Sequence, residues 1–401
     1  MNVNMERIFK YIIPLVLAVL LSGLYLTSCE SDEGLSADPV IHYIRVTDPA
    51  KADSLLVKAN MGNLIAIIGE NLGNVVEVWF NDLEATLVST YITNRSIIVN
   101  VPNLPPQEVN NKITLVTKDG RSFQFDFTVT VPPPVLRSIL CEYVPDGDIA
   151  VLKGDFFFEP EVFFTDNLKA EVVSNTQTEI RVKVPAGSAS GPITVKTLFG
   201  TVKSSFHFRD TRGIFWNFDN LPGGGWRPGN LQNTNPAGVS GNYALLTGKL
   251  NSSWDWVDSH LEIDLWGQSG GRPQGPLWQG GTAGKALRFE AFVINDWSGG
   301  FMQLIFSPWS NSGNSVNTDN TIAKGHWKPW QDTQSGSYKT DGWITVTVPL
   351  SEFIYNHSRE INNLTLKYPD NCGSLTVFVW GPITAPCDVK IAVDNFRVVD
   401  L

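Results

Sequence analysis

The feature that most constrains this 401-residue sequence is that part of it repeats. Gly69-Glu70-Asn71-Leu72 answers to Gly154-Asp155-Phe156-Phe157, and Val78-Trp79-Phe80 to Val162-Phe163-Phe164. Thr93–Pro102 (TNRSIIVNVP) answers to Thr176–Pro185 (TQTEIRVKVP), and Ile113-Thr114-Leu115-Val116 to Ile193-Thr194-Val195-Lys196. Each unit closes on Phe-x-Phe, at 125–127 and 206–208, and matching segments stay about 80 to 85 residues apart. A repeat of that length is a whole domain. Its segments are short runs rich in Val, Ile, Thr and Phe, broken by Gly, Pro and Asn, which is the pattern of an antiparallel sandwich. Residues 40–131 and 135–209 are therefore expected to be two copies of one β-domain. Between them, Val131-Pro132-Pro133-Pro134 restricts φ at three successive prolines and favours an extended, semi-rigid connector.

At the start of the chain, Arg7 and Lys10 precede an apolar run from Tyr11 to Leu26, which ends in Leu26-Thr27-Ser28-Cys29. The run is short for a bilayer span, which takes about 20 residues. Residues 1–28 are thus expected to be an export signal. Leu-Thr-Ser-Cys resembles the bacterial lipobox, which implies that Cys29 is acylated as the mature N-terminus and that 29–39 is an acylated linker. The acidic run Glu30-Ser31-Asp32-Glu33 resembles the signal that sends Bacteroidetes lipoproteins to the outside of the outer membrane. These resemblances imply a protein held in the outer membrane by a lipid and facing outward.

The order of features in each repeat resembles the IPT/TIG immunoglobulin-like family: a Gly-Asx/Glu turn after an apolar strand, then V-x-F, then I-x-V-x-V-P. Such domains on bacterial surface proteins imply spacers, and neither copy carries an aromatic or polar constellation that suggests more. The formal net charge of −10 argues against nucleic acid, which is bound by clustered Lys and Arg. After Cys29 only Cys141, Cys372 and Cys387 remain, too few for a disulfide framework. Cys372 and Cys387 are either one bridge or two free thiols, and Cys141 is left unpaired.

Composition changes abruptly near Asp210. Twelve of the 13 Trp lie from Trp216 onward, so 210–401 is a third β-domain of a different kind. It opens on Gly213-Ile214-Phe215-Trp216-Asn217-Phe218-Asp219 and closes on Ile391-Ala392-Val393-Asp394-Asn395-Phe396, two strand-like ends able to lie side by side in a jelly roll. With Gly342-Trp343-Ile344-Thr345-Val346-Thr347-Val348, these ends resemble the galactose-binding-like sandwiches of carbohydrate-binding modules. The expected fold is all-β: two tandem immunoglobulin-like sandwiches, then a larger jelly-roll sandwich.

A pyranose ring shows C–H groups on one face and hydroxyls at its edge, so a site for neutral glycan joins flat aromatics to amide, carboxylate and guanidinium groups. Each stacked sugar hides roughly 40 to 50 Å² and contributes about 1 kcal/mol. Three or four give roughly 10 µM to 1 mM affinity after ordering costs, weak binding that suits many copies on a repeating ligand.

Strand alternation selects candidates. In 260–266, Glu262, Asp264 and Trp266 share the face opposite Leu261 and Ile263; in 301–309, Gln303 and Trp309 oppose Met302, Leu304 and Phe306; Arg288 and Glu290 share a side, as do Trp254 and Trp256. Trp226, Trp278, Trp297, Trp327 and Trp330 fall in loop-like context, where binding residues concentrate. The expected glycan contacts are Trp254, Trp256, Trp266, Trp278, Trp309, Trp330, Gln303, Glu290 and Arg288. A sandwich of this size also needs aromatic core, to which Trp216, Trp343 and Trp380 are assigned. No cofactor is expected to be required; Asp219 and Asp394, if the terminal strands pair, are candidates for a structural Ca²⁺.

Lipobox, tandem IPT/TIG domains and a Trp-rich terminal sandwich together resemble the surface glycan-binding proteins of Bacteroidetes polysaccharide utilisation loci, in the family that ends in a xyloglucan-binding module. The resemblance implies non-catalytic capture of a β-linked glycan such as xyloglucan, β-glucan or mannan, beside an outer-membrane glycan importer and a surface endo-glycanase. Two alternatives stand against it. A glycoside hydrolase or lyase needs paired carboxylates about 5 to 10 Å apart, for which Glu262 or Asp264 with Glu290 are candidates. An adhesin would use the same aromatic tip to hold protein.

Overall fold

The computed structural model describes residues 37–51, 53–220, 230–251, 261–268 and 271–401. Cys29 with its signal and most of its linker, and Trp226, Trp254 and Trp256, lie outside the described residues.

The repeat is two copies of one sandwich. The first holds β1 (Val40–Val46), β2 (Lys58–Asn60), β3 (Leu64–Glu70), β4 (Val75–Phe80), β5 (Leu83–Glu84), β6 (Ser96–Asn100), β7 (Lys112–Thr117), β8 (Ser122–Asp126) and β9 (Thr128–Thr130). Its sheets run β1-β3-β6 and β5-β4-β7-β8, closing on Ile65, Ile67, Val78, Ile97, Ile113 and Leu115. The second holds β10 (Val135–Ile139), β11 (Ile149–Asp155), β12 (Glu161–Phe164), β13 (Leu168–Lys169), β14 (Glu171–Asn175), β15 (Glu179–Lys183), β16 (Thr194–Thr197) and β17 (Gly200–Lys203). Its sheets, β10-β11-β15-β14 and β13-β12-β16-β17, repeat the first plan with β14 added at one edge.

Close approach of backbone explains the repeated glycine. The first strand of each copy carries a bulge, between Ile41 and Tyr43 and between Leu136 and Ser138. Gly69 and Gly154 face these bulges, and a Cβ on either would collide with the carbonyl oxygen of Val40 or Val135. Two residues later the chain turns through the left-handed region, at Asn71 (φ 58°) and Phe156 (φ 58°).

The C-terminal sandwich comprises β18 (Ile214–Trp216), β19 (Asn230–Gln232), β20 (Tyr243–Leu250), β21 (Glu262–Leu265), β22 (Lys285–Val293), β23 (Phe301–Ser307), β24 (Lys324–Trp327), β25 (Ile344–Pro349), β26 (Ser374–Trp380) and β27 (Cys387–Asp400). One sheet runs β19-β20-β27-β22-β25, with β18 also on β27, and the other β21-β26-β23-β24; all these pairings are antiparallel. The two ends meet as expected, Ile214 opposite Arg397 and Trp216 opposite Phe396. Leu287, Phe289 and Ala291 of one sheet pack against Met302, Leu304 and Phe306 of the other, with Trp216, Trp297 and Phe396 among them. Cys141, Cys372 and Cys387 are buried free thiols, and burial raises Cys372 to about 12.

The chain divides into two compact units, one ending at Val131 and the other beginning at Pro132, so the second repeat is continuous with the C-terminal sandwich. Buried charge joins them. Glu142 lies just after β10, and its two oxygens accept from Arg397 (2.7 Å) and Arg288 (2.6 Å), while the amide of Thr345 donates to the carbonyl of Leu140 (2.8 Å).

Candidate functional site

The chemistry of the C-terminal sandwich that is left over after its core is filled collects on the outside of the second sheet. Alternation turns Met302, Leu304, Phe306, Val377 and Val379 inward and Phe301, Ile305, Phe378 and Trp380 outward. Register then sets Phe301 beside Trp380, and Gln303 between Phe378 and His326. The loop after β25 adds Tyr355 and His357.

Five rings follow one another across the sheet. His357 lies over Trp380 (centroids 5.8 Å, planes 15° apart), Trp380 meets Phe301 (5.8 Å), Phe301 stacks on His326 (4.0 Å) and His326 on Tyr355 (4.0 Å, 15°). Phe301 and Trp380, in the middle of the row, are buried; His357 at one end, and His326 and Tyr355 toward the other, are half-buried. Lys328 places its ammonium 5.5 Å from the Tyr355 ring centre. Beneath the rings the buried Gln303 accepts from the Trp380 indole N–H (3.1 Å) and donates to Asn317 Oδ1 (2.7 Å), fixing the angle of the ring.

Burial draws His326 down to about 3, helped by the charges of Lys328, Lys324 and Arg359, so its imidazole is neutral at pH 7. Burial also lowers Lys324 to about 8, where its ammonium donates to the carbonyls of Asp319 (2.7 Å) and Ile322 (3.0 Å). The inner rings cover one another's faces, so the groups suited to an uncharged sugar are the half-buried rings at the two ends, Tyr355 and His357, with amines at the margin to meet hydroxyls.

Several expected contacts are elsewhere. Trp278 is only 6% exposed; its ring packs on Phe306 (4.9 Å) and its N–H donates to the Gly281 carbonyl (2.6 Å), so it is core. Trp297 is also wholly buried. Gln303 is on the outward side of its strand, as alternation requires, but has no exposure. Glu262 and Asp264 are likewise outward-facing and buried. The physical reason is the segment around the short helix Asn314–Asn317: Val316 and Ile322 close a second small core over Phe301, Ile305, Phe378 and Trp380, and Gly313, just before the helix, lies against the carboxylates of Glu262 and Asp264. A strand face turned from the main core is therefore not a face turned to water here.

Glu290 and Arg288 are corrected for a different cause. Glu290 has no exposure and is held by both Arg397 nitrogens (2.8 Å each) and the Thr345 hydroxyl (3.0 Å); Arg288 is spent on Glu142. Burial pushes the Glu290 carboxyl up while Arg397 opposes it. These residues lie on the outside of the first sheet, whereas Glu262 and Asp264 lie on the outside of the second. Stacked sheets are about 10 Å apart before the outward side chains are added, so the pairs considered for a hydrolase cannot flank one glycosidic bond.

Trp266, Trp309 and Trp330 remain half-buried. Trp330 donates its N–H to the Gly300 carbonyl (2.9 Å). Trp309 lines a shallow cleft of about 370 Å³ with Gln274, Pro276 and Asp370, and Gly267 and Gly373 admit its close packing. Trp216 and Trp380 are buried as assigned, but Trp343 is half-exposed. The pair at the two ends of the ring row, Tyr355 and His357, falls outside every strand pattern of the sequence. Its only sequence signal is the spacing of two in Tyr355-Asn356-His357, inside a stretch without strand pattern.

Asp219 and Asp394 approach through the segment between them. Asp219 accepts from the Asn242 amide (2.8 Å), and Asp394 from the Ser240 hydroxyl (3.0 Å) and Asn395 amide (2.7 Å). Burial raises Asp394 to about 8, with the charges of Glu290 and Asp219 adding. Among the described residues no group of three or more His, Cys, Asp or Glu gathers as a metal site, so a cation here would need backbone carbonyls as well.

Comparison with known proteins gives the same two domain types. Residues 208–400 match the surface glycan-binding protein B xyloglucan binding domain, and 56–129 match the IPT/TIG domain. An IPT/TIG domain-containing protein of Bacteroides ovatus is 37% identical over 169 residues, 40% of this chain; the match spans about a third (34%) of that relative's length. The surface glycan-binding protein PbSGBP-B of Prevotella bryantii superposes with a TM-score of 0.73 at 25% identity, covering 91% of this chain and 99% of its own. SGBP-B from a complex xyloglucan utilization locus of Bacteroides uniformis shares the fold, with a TM-score of 0.50 at 19% identity over 91% of this chain.

Proposed function

Because residues 208–400 match the surface glycan-binding protein B xyloglucan binding domain, we propose that the chain is a non-catalytic polysaccharide-binding protein of the bacterial cell surface. It captures a β-linked glycan of the xyloglucan, β-glucan or mannan class and holds it for degradation and import. The observation that carries this reading is the family match over the whole C-terminal sandwich, in the same domain that holds the five-ring row. Cys29, acylated, anchors the protein in the outer membrane facing outward; an outer-membrane glycan importer and a surface endo-glycanase are its partners there. No nucleic acid takes part.

The end rings of the row, Tyr355 and His357, with Trp309, Trp330 and Trp266 as further aromatic contacts, provide the stacking faces, and Lys328 a donor to hydroxyls. Trp254 and Trp256 remain candidates from the sequence alone. A structural Ca²⁺ shared by Asp219 and Asp394 is part of the same proposal; it would let Asp394 ionise where burial otherwise keeps it protonated.

Affinity electrophoresis in gels cast with xyloglucan, mixed-linkage β-glucan, mannan or a control protein matrix tests the proposal. Retardation in at least one β-glycan, with no release of reducing ends on long incubation, is expected. Free migration in all of them, or steady product formation, would overturn it.

A further inference from the structure

Within the unit from Pro132 onward, a second cleft of about 620 Å³ opens between the second immunoglobulin-like domain and the C-terminal sandwich. That volume is in the usual range of ligand sites, which favour domain boundaries. Its chemistry resembles the ring row in kind but not in residues. The sandwich contributes the half-exposed rings of Tyr338 and Trp343 with Lys339 and Asp341; the immunoglobulin-like domain contributes Asp148 and Arg181. Two cations and two anions leave the lining with no net charge, which disfavours a phosphate, a uronate or a metal and leaves an uncharged, hydroxyl-rich ligand.

The aromatic wall is fixed in place. The Trp343 indole N–H donates to the Ala237 carbonyl (2.9 Å), and the ring is wedged edge-to-face against Tyr243 (5.3 Å) and Phe292 (6.1 Å). The two sides are also fixed to each other. Thr345 N–H bonds the Leu140 carbonyl (2.8 Å), the Glu142 amide bonds the Thr345 hydroxyl (2.7 Å), and Arg397 bonds Glu142 behind them. A site that needs no closure loses little ordering entropy on binding.

We propose that this cleft is a second saccharide site, built jointly by the second immunoglobulin-like domain and the sandwich, that takes a short neutral stretch of the same class of glycan. The proposal rests on the reading of the protein as a glycan binder. Trp343 directly precedes β25 of the first sheet, whereas the ring row covers the second, so the two sites face away from each other and would hold separate chains or separate turns of one chain. The second immunoglobulin-like domain is then part of the binding apparatus as well as a spacer.

The test is calorimetric titration of the full chain with a xyloglucan oligosaccharide, beside gel retardation in xyloglucan polymer. Wild-type protein should take two equivalents. Trp343→Ala and Arg181→Ala should each reduce this to one and weaken retardation in polymer about fivefold, the loss of one stacked sugar or its anchoring bond. Arg181 is a surface residue, 47% exposed at its side chain, so its variant reports even if Trp343→Ala fails to fold. One equivalent for wild type, with Arg181→Ala unchanged in both assays, overturns the second site and leaves the protein a glycan binder. No binding by wild type in either assay overturns both.

Discussion

Arg397, in the final strand of the sandwich, is hydrogen-bonded at 2.7 Å to Glu142, 255 residues earlier in the preceding domain. With Glu290 on its other side, Arg397 is fully buried between two carboxylates, and Arg288 completes the charge balance. Removing one member of such a buried set strands the others. Arg397→Met should destabilise the unit from Pro132 onward by about 3 to 5 kcal/mol, measured by urea unfolding. Glu142→Gln, which keeps a hydrogen-bonding shape, should cost less.

The same relationship bears on how the protein may be divided. A fragment of 210–401 loses Glu142 and leaves Arg397 with one carboxylate partner, Glu290, whereas 132–401 retains the network. The shorter fragment should melt at lower temperature and the longer should show one cooperative transition, by calorimetry. Two separated transitions in the longer fragment would contradict the continuity of the two domains.

Ring-row residues should matter to binding in order of their access. Tyr355→Ala should weaken retardation in a β-glycan gel about fivefold, one sugar's worth of stacking. Gln303→Ala acts through the Trp380 ring and should shift affinity less than it shifts the near-ultraviolet circular dichroism of the indole. If Tyr355→Ala and His357→Ala both fold and bind like wild type, the row is not the platform.

Two titrations have opposite signs. His326 has its folded value lowered to about 3 from 6.5, so the stability it contributes is present above 6.5 and is lost as pH falls toward 3. Asp394 has its folded value raised to about 8 from 3.8, so its contribution is present below 3.8 and is lost as pH rises through 8. Thermal melts in chelator should therefore decline from pH 4 to 8 on Asp394's account, and Asp394→Asn should flatten that limb. Added Ca²⁺ should raise the melting temperature of wild type at pH 8 and leave Asp394→Asn unmoved; no shift in wild type would remove the calcium proposal.

Gly69→Ala and Gly154→Ala place a methyl group against the carbonyl of Val40 or Val135, where only backbone movement makes room. Each should destabilise its own domain by at least about 2 kcal/mol, the scale of backbone strain and overpacking, with each effect confined to the unit that carries it.

Much of the fold was readable because it is local. Paired glycines, alternating Val and Ile, and the proline junction each state a backbone requirement in a few residues. The partnership of β18 with β27 could also be expected from two strand-like ends. The site was readable only by side, not by depth. Alternation put Gln303, Glu262 and Asp264 on the correct face, but burial there depends on residues 313–322, one short helix and its flanking turns, which carry no periodic signature. Glu290 and Arg288 look like an exposed polar pair until a residue from another domain, Glu142, is brought to them. Trp343 errs the other way: a strand-like run suggested core, while the indole sits at a domain boundary.

Strand β27 lies between β20 and β22 and also carries β18, yet all three precede it in sequence. The first sheet therefore has a gap at its centre until residues 387–400 have been made, and Glu142 has no Arg397 to meet before then. During synthesis the first repeat can close as soon as it emerges, while everything from Pro132 onward waits on the arrival of one late segment. A chain that stops short of Cys387 would leave not a trimmed domain but two open half-sheets, with Glu290 deprived of the guanidinium that holds it.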